Sequence, residues 1–173
     1  MASFGLQASS APTASTEPID ASTPWLAAAD GKLALLQSSL TKLNLSVSAA
    51  DENGYTLLQA AASYGQIPVM KWILSQAASI GGLDVNAADK EGDTALHYAG
   101  TAEACQLLVQ GAQASTQIKN AQGKTALQIK QEELKTLQDD EDEDSDSEDI
   151  VTLQKQVAYL SSLWCKVTCA CPS

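Results

Sequence analysis

One histidine, four cysteines and a dense acidic run are the side chains through which this chain could do chemistry. His97 lies in GDTALHYAG (92–100), where a solitary imidazole could act as a general base or a metal ligand. Either role needs company: a nucleophile, paired carboxylates, a metal shell or a phosphate-cradling loop. Cys165, Cys169 and Cys171 form C-x-x-x-C-x-C, three soft ligands where a structural zinc takes four, with no histidine near them. Cys105 sits inside an apolar helical pattern and reads as a small buried hydrophobe. The chain holds no G-x-x-x-x-G-K-[ST], no C-x-x-C and no G-x-S-x-G, and Gly81–Gly82 carries no nucleotide fingerprint. The reading is of a chain that is not an enzyme, with no catalytic residue, no metal site and no cofactor.

The elements that position these residues are helices. Aromatic residues make up only 5% of a sequence rich in Ala and Leu, a composition suited to close helix packing and not to a sheet sandwich. All ten basic residues are lysines, against 21 acidic ones. The lack of arginine and a net charge of -11 argue against a nucleic-acid partner. No apolar run approaches a membrane span, and the first residues lack a charged and apolar leader of the secretory type. The expected compartment is the reducing cytoplasm, with the nucleus as a second location.

From Pro24 onward the chain repeats itself. VSAADENGYTLLQAA (47–61) and VNAADKEGDTALHYA (85–99) share Val, Ala, Ala, Asp, Gly, Thr, Leu and Ala in register at an offset of 38. A third copy, KNAQGKTALQI (119–129), sets Gly123, Thr125 and Leu127 against Gly92, Thr94 and Leu96 at an offset of 31. A period in the thirties is the signature of a stacked repeat. Each copy reads as turn, helix, helix: Asp or Asn with Gly54, Gly92 or Gly123 for the turn, and Thr56, Thr94 or Thr125 as N-cap. Gly65 then stops the first helix of the second unit, and Pro68 opens its next helix. The unit from Thr94 to Leu107 is four residues shorter than Thr56 to Ile73, close to one helical turn. At the place of His97 the other copies carry Gln59 and Gln128. What the three side chains share is hydrogen bonding, so His97 is expected to fasten a helix start.

These residues resemble the ankyrin repeat, D-x-x-G-x-T-P-L-H-x-A-A-x-x-G followed by an apolar helix and L-L-x-x-G-A. Asp51, Gly54, Thr56, Leu58, Ala61, Ala62 and Gly65 carry the likeness in one unit. Asp89, Gly92, Thr94, Leu96, His97, Ala99, Leu107, Leu108, Gly111 and Ala112 carry it in the next. WLAAADGKLALLQSSL (25–40) is a degenerate first copy and NAQGKTALQIKQEEL (120–134) a truncated last one; the family's Pro is replaced by Leu57, Ala95 and Ala126. The resemblance implies an all-α solenoid of three to four helix pairs, whose elongated face binds a partner protein. By the same resemblance, contacts come from turn tips and first helices: Glu52, Asn53, Tyr55, Ser63, Tyr64, Lys90, Glu91, Asp93, Gln122 and Lys124. Tyr55 and Tyr64 are the anchors expected there, since tyrosine gives large contact area at low entropy cost; the alternative is that both pack within the stack. Trp25 and Trp72 are expected to complete the core.

The expected organisation is a disordered leader (1–23), the repeat domain (24–137), an acidic disordered segment (138–149) and an amphipathic helix with a Cys-containing tail (150–173). The run DDEDEDSDSED, 139–149, holds nine of the 21 acids, and Ser145 and Ser147 lie in the context acidophilic kinases favour. This run supports an alternative function, an acidic chaperone-like tail for basic clients such as histones. Beyond it, Leu153, Val157, Leu160 and Trp164 form a helical stripe. Capping of the stack, weak self-association or partner binding, and a loose helix are all open to that stripe.

Overall fold

The structure, a computed structural model, describes residues 19–80, 82–139 and 148–168. Helices α1 (Thr23–Ala29) and α2 (Leu33–Leu43) form the first pair, and α3 (Leu57–Ser63) and α4 (Ile67–Ile80) the second. In the third pair α5 (Ala95–Tyr98) is followed by α6 (Ala102–Gln106), which runs on as a π-helical turn, Leu107–Gly111. The last pair is α7 (Ala126–Asp139) and α8 (Glu148–Thr168). No strand forms among the described residues; two isolated bridges, Ala50 with Thr56 and Lys119 with Thr125, close turns.

The first helices stack in a row, α1 on α3, α3 on α5 and α5 on α7. Alanine lets them approach: Ala27, Ala28, Ala60, Ala61, Ala62, Ala95 and Ala99 are buried along the row. The second helices supply larger side chains, with Leu36, Met70, Ile73 and Leu108 fully buried. Trp25 and Trp72 are only half-buried, packed against this core from its edge. The shortening of the third unit falls at the end of its first helix and amounts there to three residues, α5 having four where α3 has seven.

Two boundaries differ from the sequence reading. Residues 20–23 belong to the fold: Asp20 accepts hydrogen bonds from the backbone N–H of Ser22 (3.0 Å) and Thr23 (2.9 Å) and from both hydroxyls. Its carboxyl is held below the usual range by those partners, the Thr23 and Ser22 side chains foremost. At the other end α7 continues to Asp139 and α8 begins at Glu148, so helix enters the acidic run from both sides. Residues 140–147, with Ser145 and Ser147, lie outside the described residues, as do Cys169 and Cys171.

α8 takes the place of the second helix that the truncated last unit lacks, packing on α7 and α6. Its buried side chains are Ile150, Gln156 and Leu160, with Leu153 and Val157 half-buried. The stripe read from the sequence is thus displaced by part of a turn, because polar Gln156 faces inward; the side chain of Trp164 lies outside the described residues.

Candidate functional site

The recurring geometry is a helix start tied to the next unit's turn. Thr56 accepts a hydrogen bond from Gln59 N–H (3.2 Å) while Gln59 Oε1 accepts from Thr56 N–H (2.5 Å), a reciprocal capping box. The carboxamide's other end donates to the Asp93 carbonyl at 2.7 Å, so one fully buried side chain serves two units. His97 does the same: Thr94 N–H donates to Nδ1 (3.1 Å), and Nε2 lies 3.3 Å from the Lys124 carbonyl. Both contacts are met by the neutral tautomer carrying its proton on Nε2. Gln128 accepts from Thr125 N–H at 2.9 Å, but it is exposed, because among the described residues no further unit stacks on it.

Sequence reasoning missed the first member of this series. The indole N–H of Trp25 donates to the Tyr55 carbonyl at 2.8 Å, and Tyr55 precedes its threonine as Asp93 and Lys124 precede theirs. The signal was the spacing Ser22 to Gly31, equal to that of Thr56 to Gly65. Trp, Gln and His, three chemically distinct donors, therefore make one inter-unit bond.

The turns are built alike. Asp51 Oδ1 accepts the N–H of Asn53 and Tyr55, Asp89 Oδ1 those of Glu91 and Asp93, and Asn120 Oδ1 those of Gln122 and Lys124. Neighbouring turns join through Lys90 N–H to the Asn53 carbonyl and Ala121 N–H to the Glu91 carbonyl, both 2.8 Å. Gly92 has φ 80° and lies so close to the next turn that a Cβ would meet Ala121 N at 2.8 Å. The result is a continuous ridge on which Glu52, Asn53, Lys90, Glu91 and Gln122 are exposed.

The other residues assigned to this surface are placed differently. Tyr64 is 68% exposed at the end of α3. Tyr55 is half-buried, nearer the alternative of packing within the stack: its ring meets Tyr98 edge-on at 5.1 Å, and its hydroxyl lies 3.1 Å from Ser63 Oγ. Ser63, Asp93 and Lys124 are also half-buried, Asp93 accepting from Asn120 Nδ2 and Lys124 paired with Glu132. Burial raises the Tyr55 hydroxyl above its ordinary value, and burial together with the hydrogen bond to Asp89 raises that of Tyr98 further. Cys105 is fully buried, and that burial pushes its thiol up to about 11, far from a nucleophilic thiolate. Among the described residues no cluster of three or more His, Cys, Asp or Glu could hold a metal.

Residues 24–120 match the profile of ankyrin repeats (three copies). The chain belongs to the ankyrin-repeat family. A curated relative, ankyrin repeat-containing protein P1E11.10 of Schizosaccharomyces pombe, is 36% identical over 105 residues, 61% of this chain. The chain spans about half the length of that relative, 48%. Ankyrin repeats are generally protein–protein interaction modules and typically non-catalytic. No helix among the described residues is long and apolar enough to cross a membrane.

Proposed function

We propose that this chain is an ankyrin adaptor or inhibitor that works by binding a protein partner and not by turnover, in the cytoplasm and the nucleus. The observation that carries the reading is the ridge of fused turn tips. Its backbone is fixed by hydrogen bonds within and between units, so exposed Glu52, Asn53, Lys90, Glu91 and Gln122 are displayed at little entropic cost. Tyr64 adds a large exposed anchor at the end of α3. Nucleic acid and membrane are not the partners this surface suits, because its charges are mixed and the chain is acidic.

The nine acids of the run 139–149 favour a second reading, in which the tail holds basic clients and the repeats only position it. Affinity capture with wild type, with Tyr64→Ala/Lys90→Glu, and with Asp140 to Asp146 neutralised separates the two. The ridge reading expects loss of the client on the paired substitution and retention on neutralisation. The opposite pattern supports the tail.

A further inference from the structure

The short α5 leaves a notch in the stack. In repeat register Tyr98, the last residue of α5, matches Ile129, yet α7 continues to Asp139. The overhanging part of α7, with α8 beside it, therefore walls a cleft of about 770 Å³ whose floor includes Gly100. Ile129, Leu137 and Leu153 give it apolar walls.

Its polar groups are unevenly satisfied. Lys130, at the place taken by buried alanine in the other units, is buried and paired with Glu133 at 2.9 Å; Lys124 is paired with Glu132. Asp93 and Asp149 line the cleft without a lysine partner among the described residues. Gln156 is 1% exposed, and its Nε2 donates to the Ala99 carbonyl at 3.2 Å, which fixes the orientation of the carboxamide. Gln156 Oε1 is then a buried acceptor with no donor, a cost that a ligand N–H would relieve.

We infer that this cleft between α7 and α8 receives a basic segment of a partner protein, an arginine or lysine flanked by apolar residues. The cationic N–H donates to Gln156 Oε1 and is balanced by Asp93 and Asp149, while the flanking residues lie on Ile129, Leu137 and Leu153. The inference rests on the reading of the chain as a partner-binding stack and names the chemistry of what is bound.

The probe is a short labelled peptide of alternating Arg and Leu, with a Glu–Leu peptide as control, titrated by fluorescence anisotropy at physiological salt. Thr136→Trp fills the cleft from an exposed position on α7, and Gln156→Met removes the acceptor at similar length. Each should bind the Arg–Leu peptide roughly tenfold more weakly than wild type, the scale of one hydrogen bond to a charged group. The chain with Asp140 to Asp146 neutralised should keep most of the affinity. Thermal melting checks each fold; should Gln156→Met fail to fold, Thr136→Trp decides alone. Unchanged affinity in these variants, or binding that disappears on neutralisation of the run alone, overturns the inference. Failure of the folded wild type to bind also overturns it, and leaves the ridge reading to its own test on Tyr64 and Lys90.

Discussion

At the place where an ankyrin unit fastens to its neighbour, Trp25, Gln59 and His97 present an indole, a carboxamide and an imidazole to the same kind of carbonyl. The chemistry they share is an N–H at the right reach, and that explains why a solitary histidine here has no catalytic company. His97→Gln is expected to keep both bonds and shift stability little. His97→Leu leaves the Thr94 N–H without a partner and takes from the Lys124 carbonyl one of its two donors, the other being Asn120 N–H, and should cost about 1–3 kcal/mol, read by urea denaturation. Trp25→Phe keeps an aromatic ring but removes the donor and part of the packed indole, so a loss of at least about 1 kcal/mol is expected from the same measurement. Cys105 offers a test in pH. Its thiol is raised by burial to about 11, so the folded state retains a proton that the unfolded chain releases near the ordinary value of 9. Its contribution is full below pH 9 and is lost as pH rises through about 11. At neutral pH iodoacetamide should label Cys105 slowly unless denaturant is added, as followed by peptide mass spectrometry.

At the scale of elements, the pairing of α7 with α8 completes the stack. Leu160 is 3% exposed in that contact, and Leu160→Ala should cost roughly 2–4 kcal/mol in thermal or urea unfolding, the range for a large-to-small change in a core. A surface helix would tolerate the same change within about 0.5 kcal/mol. The turn–helix–helix units were legible in the sequence because their markers are local: Asp or Asn and Gly in the turn, Thr at the cap, Ala along the first helix. The role of α8 was not, because its contacts cross the run 139–149 and its inward face includes Gln156, a polar residue that breaks the apolar stripe. The fastening bond of Trp25 was hidden for a related reason. Its unit has Ser22 for Thr and no turn copy before it, so only the spacing to Gly31 aligns it with Gln59 and His97. Tyr55 appeared exposed because a tyrosine at a turn tip is usually wet; the T-shaped contact with Tyr98 is between units and invisible to a one-dimensional reading.

For the molecule as a whole, the ridge of turn tips and the notch over α5 follow from one architecture. Stacking buries each unit's apolar face and fixes the turns in a row, while the turn missing from α5 opens the cleft beside α8. Function on this account lies in displayed surface, and the buried polar residues serve to hold it in shape. The most direct test compares the dissociation constants of wild type, His97→Gln and Tyr64→Ala/Lys90→Glu for the captured client protein. The account predicts that His97→Gln binds like wild type and that the paired ridge substitution binds at least about tenfold more weakly with folding intact. Wild-type affinity in the ridge variant, together with loss of binding in a folded His97→Gln, would contradict it.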